Sequence, residues 1–293
     1  MQLLLLLFGV FLGATAAIFI KASTVHPVWM SSLRLFVAAV VLCPLFVMDL
    51  RKHRLRLSSE QWLRPVVPGL FLALHFMSWI AGVRRTAAVN SSLIVNMAPM
   101  VMPFILWGLV REKLSPREWV GTAIVSAGIF IMVFHDYRFD PAYVAGDLLC
   151  FVSMLLFAFY AASGRKNRDY PSLWLYVVPL YVIAGVFCAV TALVFGFPML
   201  DQWTWHEALM VLGLGLLPTV GGHSILNNAM RHLRGQVVTT TNLMQTVFVA
   251  PLAFVFLGEV PQPVFYLVAL VVALGVLTSI FGGGWVRRFH GRT

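Results

Sequence analysis

Charge is scarce in this chain. Only 11% of its 293 residues are Asp, Glu, Lys or Arg, and 11 are acidic, where soluble domains carry roughly a quarter charged residues. With 60% apolar residues, there is more oil than a soluble core of this size can hide. An ordinary cytosolic enzyme, a disordered tail and a nucleic-acid module are thereby excluded. Cysteine is scarce too. Cys43, Cys150 and Cys188 lie inside apolar runs without CxxC spacing or neighbouring histidines, so they read as small buried hydrophobes, not disulfides or metal ligands. No GxxxxGK[ST], HExxH or GxSxG occurs. ATP is therefore not an energy source within the chain, and no intramembrane hydrolase or cofactor site is expected. What remains is an all-α integral membrane protein.

Long apolar runs supply the positive signal. A spanning helix needs about 20 apolar residues, and ten stretches qualify: roughly 2–20, 28–50, 62–83, 87–110, 117–134, 144–163, 172–196, 206–230, 235–257 and 263–285. Proline and basic clusters punctuate them, among them Pro27, Arg51 to Arg56, Pro116, Pro141, Pro171, Pro198 and Pro263. The first run resembles a signal peptide but lacks a basic segment before it, and it continues through Ile20 to Lys21, so it reads as a helix. With the N-terminus cytoplasmic, sixteen Lys and Arg fall on inside segments, Arg54 and Arg56 among them. Only Lys21, Arg84, Arg85 and Arg138 fall outside, and Arg34 alone lies within a span. That asymmetry puts both termini inside and explains the net charge of +10 by topology, without any nucleic-acid partner.

A shift of 147 positions superimposes Arg84 on Arg231, Glu112 on Glu259, Pro116 on Pro263 and Gly128 on Gly275. The chain thus divides into two five-helix halves, 1–138 and 143–285, followed by a basic cytoplasmic tail, 286–293. Five is odd, so the second half is inverted relative to the first. Inverted repeats recur in secondary transporters, where similar halves exchange conformations and expose a cavity to alternate sides.

Asn96-Met-Ala-Pro99, then Glu112, Leu114-Ser115-Pro116 and Gly121, resembles the EamA-type repeat of the drug/metabolite transporter superfamily. Thr246 to Glu259 forms the second copy. Gly146-Asp147-Leu148-Leu149 resembles the start of that family's second repeat, and Arg34 matches a recurrent arginine. Leu12 and Phe157 depart from the family's frequent tryptophans, and Thr246 from its usual proline. The resemblance implies ten helices, cytoplasmic termini and a cavity between the halves. It also implies a bacterial inner-membrane exporter of amino acids, aromatic ones included, or of related metabolites. A broader drug and metabolite efflux carrier and a channel-like facilitator stay open, as do monomer and homodimer.

Polar groups inside spans mark the candidate substrate site, because such residues usually face a cavity or a partner. His75 sits mid-span with Trp79 one turn on. His223 lies one position from the repeat equivalent of His75, with Asn227 at i+4. Asn96, Asn242 and Gln245 occupy equivalent regions of the two halves. Tyr160, with Phe157 and Trp79, would build an aromatic wall. A histidine titrates near neutrality, so proton coupling stays open. Arg34 either snorkels to the outer interface, attracts a carboxylate or ties helices together. Asp147 reads as a helix cap. Glu112 and Glu259 lie at helix C-termini, where the dipole disfavours anions, so each needs a basic or hydrogen-bonding partner. By inverted topology they would tie their helices in opposite gating states. Gly9 and Gly13 permit a close helix contact, within the fold or between protomers.

Overall fold

The computed structural model describes residues 1–52, 57–136, 141–200, 202–261 and 263–281. Arg54, Arg56, Arg138 and the basic tail 286–293 lie outside the described residues. Within these, every regular element is helical: α1 (Gln2–Ala14), α2 (Ala16–Ala22), α3 (Pro27–Lys52), α4 (Ser59–Leu63), α5 (Val66–Val83), α6 (Ala88–Val95), α7 (Met102–Val110), α8 (Pro116–Asp136), α9 (Pro141–Lys166), α10 (Leu173–Val194), α11 (Trp205–Leu214), α12 (Ser224–His232), α13 (Gly235–Asn242), α14 (Met244–Leu257) and α15 (Pro263–Phe281). Helix is the only open-ended structure that satisfies every backbone group without water, which is what a lipid environment demands. Joined end to end, these elements give eight helices long and apolar enough to cross a membrane among the described residues. A ninth follows if residues 88–100 and 102–110, bent by 46°, form one span. Pro99 and Pro103 account for that bend, since neither can donate to the helical ladder. The remaining long helix, α8, packs along α15.

Helix contacts pair α3 with α10, α5 with α9, α8 with α15, and α1 with a π-helical segment, Gly215–His223, between α11 and α12. Small residues set how closely they approach. A Cβ built on Gly121 of α8 would lie 2.6 Å from the Gly275 carbonyl oxygen of α15, and one on Gly275 would lie 2.9 Å from the Gly121 carbonyl oxygen. Gly222 packs against the backbone of Gly9 and Gly13. The Gly9/Gly13 pair therefore works within the fold. Large apolar side chains such as Phe104, Trp107, Phe195, Val255 and Leu270 cover the outside, as expected of a surface facing hydrocarbon and not water.

Pro218 shapes the π-helical segment. Lacking an N–H, it cannot bond the Leu214 carbonyl four residues back. That oxygen instead accepts the Thr219 hydroxyl at 2.8 Å, and the helix widens locally, a distortion often found at functional sites. Two sequence expectations are corrected here. Asp147 is not a helix cap, because α9 begins at Pro141 and places it in the second turn. Cys43 is exposed, whereas Cys150 and Cys188 are buried, and all three are free.

Both ends of the bundle are held by charged networks. Glu207 accepts from the Ser23 hydroxyl and from Thr24 N at 3.0 Å, fastening the 23–26 loop to α11. Arg84 donates to the Ser23 carbonyl at 2.8 Å, and its repeat equivalent Arg231 donates to the Tyr170 carbonyl at 2.8 Å. Burial pushes the Arg84 guanidinium below its ordinary value, and Glu207 partly offsets this. At the other end Glu118, fully buried, bonds Arg234 and caps α8 through the Ser115 N–H at 2.6 Å. Arg234→Met leaves that carboxylate without its charged partner. It is expected to lower stability by about 2 kcal/mol, read as a fall in the thermal midpoint of the detergent-solubilised protein. An unchanged midpoint would show that Glu118 needs only its Ser115 bonds.

Candidate functional site

The half-helices α6 and α13 end at Asn96 and Asn242. Asn242 Nδ2 donates to Asn96 Oδ1 at 2.7 Å, joining the two breaks across the middle of the bundle. Asn96 Nδ2 in turn donates to the Ser92 carbonyl at 2.8 Å, supplying an acceptor's partner where the helix stops. Beside this pair lies a cavity of about 40 Å³ lined by Gly9, Gly13, Ala16, Val95, Phe157, Pro218, Gly222, Leu226 and the polar residues Arg34, His75, Trp79, Asn96, His223, Asn242 and Gln245. The cavity is narrow and partly open, not sealed. The glycines Gly9, Gly13 and Gly222 that bring α1 close to the π-helical segment also lie on this wall.

Among the described residues Arg34 is the one permanently charged residue of the lining. It does not snorkel: its relative exposure is 0%. Its Nε donates to Thr219 Oγ1 at 2.9 Å, and its guanidinium carbon lies 3.9 Å from the centre of the Phe76 ring. Thr219 can present that oxygen because its own proton goes to the carbonyl released by Pro218. The π-helix thus aims the arginine. Nη1 and Nη2 have no protein partner among the described residues.

His75 Nδ1 lies 2.7 Å from Ser153 Oγ, which itself donates to the His75 carbonyl at 3.0 Å. The His75 and Trp79 rings lie nearly parallel, 5° apart with centroids at 6.2 Å, and Phe157 approaches His75 to 5.2 Å. The two histidines meet, their ring centroids 6.3 Å apart. Tyr160 and Asn227 stand outside the lining. The Asn227 amide donates to the Tyr160 hydroxyl and, at 2.9 Å, to the His223 carbonyl, so this pair props the helix behind His223. Gln236, not singled out from sequence, is also buried and bridges the Pro99 carbonyl and Thr122 Oγ1 at 3.0 and 2.7 Å. Among the described residues no cluster of His, Cys, Asp or Glu could hold a metal ion.

The two glutamates close the ends. Glu112 accepts from Arg165 Nε at 2.8 Å and from the Gly235 N–H, the first residue of α13, at 3.0 Å. Glu259 pairs with Lys21 at 2.5 Å and accepts from the Ala88 N–H, the first residue of α6, at 2.9 Å. Each carboxylate thus sits on the positive end of a half-helix belonging to the other half of the chain. Gln2 at the start of α1 bonds Asn228, near the Glu112 clasp. Lys21 at the far end of α2, about 30 Å along, bonds Glu259. The clasps therefore lie at opposite ends of the bundle. Both are engaged in this structure. Beyond the Glu112 clasp, a second cavity of about 450 Å³ is lined by Val110, Glu112, Arg165, Lys166 and Arg168.

Comparison with known proteins agrees with this architecture. An uncharacterized transporter, YwfM, of Bacillus subtilis strain 168 is 21% identical over 230 residues, 75% of each chain. An uncharacterized transporter of Clostridium kluyveri is 20% identical over 258 residues, 84% of this chain and 78% of that one. A crystal structure of another protein superposes with a TM-score of 0.74 at 18% identity, over 95% of this chain and 96% of the other, a likeness of fold. The sequence model of the EamA-like transporter family matches residues 1–134 and again 144–281. With nearly the whole sequence accounted for by that double match, the chain belongs to the EamA-like transporter family, and it is a multi-pass membrane transporter.

Proposed function

We propose that this transporter is a secondary carrier that moves a small organic metabolite by alternating access through the cavity beside Arg34. In this reading α8 is the tenth span. Residues 1–138 and 143–285 form inverted five-helix repeats, and both termini are cytoplasmic in a bacterial inner membrane. The helix contacts support it, because exchanging the halves maps the α5–α9 contact onto the contact of the Gly215–His223 helix with α1. The observation that carries the reading is a central cavity lined by both halves, with one clasp engaged at each end of the bundle. Two clasps on opposite ends suit a carrier that opens one side at a time, whereas an open pore needs neither. Release of the Glu112 clasp would open the cytoplasmic side, and release of the Glu259 clasp the outer side. The family resemblance makes amino acids the first substrates to try and export the expected direction.

Solute counterflow tests this. Proteoliposomes preloaded with unlabelled solute are diluted into the labelled form, with aromatic amino acids and their ammonium-free acids in the first panel. A transient overshoot is expected. Uptake that never exceeds equilibrium, together with a conductance that does not saturate, would replace the carrier by a channel.

A further inference from the structure

The unpartnered polar atoms around the central cavity are mostly of one kind. Arg34 Nη1 and Nη2 and Trp79 Nε1 are N–H donors, all buried and all without an acceptor among the described residues. His223 Nδ1, also unpartnered, takes either role. Leaving donors unmade in a dry interior is costly, so the site is complementary to a ligand rich in acceptors. Charge points the same way. Arg34 is a fixed cation, and among the described residues no Asp or Glu lines this cavity. The guanidinium presents a planar fork, and its Nε is already spent on Thr219, which leaves the Nη edge for a second, bidentate partner. Around it the His75, Trp79 and Phe157 rings present flat apolar faces. The vestibule beyond Glu112 carries three cations, Arg165, Lys166 and Arg168, against one carboxylate, a field that concentrates anions.

We infer that the transported solute is a monoanionic carboxylate on a flat apolar body, its carboxylate held by the Nη edge of Arg34. The inference rests on the cavity being the transport site. A zwitterionic amino acid shares the carboxylate, but its ammonium would find only neutral acceptors in this lining. The ammonium-free acid leaves the site neutral and adds no second charge to desolvate.

A ligand series separates these sources. Thermal stabilisation of the purified protein in detergent is titrated with 3-phenylpropionate, phenylalanine, 3-phenylpropionamide and phenethylamine. The acid is expected to bind more than about tenfold tighter than the zwitterion, with the amide weaker and the amine without effect. Arg34→Gln and Arg34→Lys are then compared. Both should lose the preference for acid over amide, the lysine variant less completely because it keeps the charge without the fork. The series on the unaltered protein needs no variant to fold. Phenylalanine binding as well as the acid, or acid binding that survives Arg34→Gln, would overturn the inference. Counterflow of some solute outside the series, with no member of the series stabilising, would also overturn it and leave the carrier reading standing. Arg34-dependent stabilisation by the acid with no counterflow would instead keep the site and overturn the carrier.

Discussion

Glu112→Gln is expected to open one end of the protein and leave the other shut. The carboxylate has two jobs, and each oxygen does one: Oε2 accepts from Arg165 and Oε1 from the Gly235 N–H. A glutamine keeps one acceptor and turns the other into a donor, so one of the two partners is left facing an N–H. Losing a charge-assisted bond of this kind costs about 1.5–3 kcal/mol, equivalent to roughly a ten- to hundredfold shift in the closed-to-open ratio. The side chains are only 10% and 11% exposed, so solvent does little to soften the loss. The Glu259 pair, at 21% and 25%, is wetter, and Glu259→Gln should act in the same manner at its own end but less strongly. Hydrogen exchange resolved by segment reads this directly. Glu112→Gln should speed exchange at the start of α13 and not at the start of α6, with the converse for Glu259→Gln. Equal acceleration at both ends in either variant would show that the carboxylates serve general stability and not separate gates.

Gly121→Ala is expected to be among the most damaging single-methyl additions. The new Cβ would lie 2.1 Å from Ser279 Oγ and 2.6 Å from the Gly275 carbonyl oxygen. The serine can rotate away; the carbonyl belongs to the backbone of α15, so the two helices must separate. Overpacking of this kind costs about 2–3 kcal/mol. Gly275→Ala should behave alike, since its Cβ would meet the Gly121 carbonyl oxygen at 2.9 Å. Gly108→Ala is the control. It lies within α7 with nothing inside 4 Å of the added carbon, so it should gain about 0.5–1 kcal/mol from helix propensity. Unfolding midpoints in detergent should therefore move in opposite directions. A similar small change for all three would mean that α8 and α15 are not in tight contact.

The helices were legible because lipid leaves the sequence little choice: a run such as Leu3 to Ile20 must close its own hydrogen bonds, and Pro27, Pro116 and Pro263 start new helices where polar breaks end old ones. Depth within the bundle was harder to read. Arg34 lies within reach of the outer interface on sequence spacing, so snorkelling was a sound expectation. What holds it inside is Thr219, 185 residues away, available only because Pro218 frees the carbonyl that Thr219 bonds. His223 and Asn227 form a visible i,i+4 pair, yet nothing in that spacing tells that Asn227 turns to Tyr160 and leaves His223 to the cavity. Glu112 and Glu259 announced their need for partners, whereas their simultaneous engagement depends on how the whole bundle stands. Glu118 was overlooked although Ser115 and Glu118 have capping-box spacing. Gln236 gave no comparable signal.

The crossed reach of the glutamates has a consequence for assembly. Glu112 holds the beginning of α13, and Glu259 the beginning of α6, so neither closure is a property of one half. The first 136 residues made alone would carry a carboxylate with no helix to hold and a helix with no carboxylate to hold it. Two such pieces placed head to tail would each supply what the other lacks. In that sense the molecule is a handshake written into a single chain, and severing it should yield fragments that are competent only in each other's company.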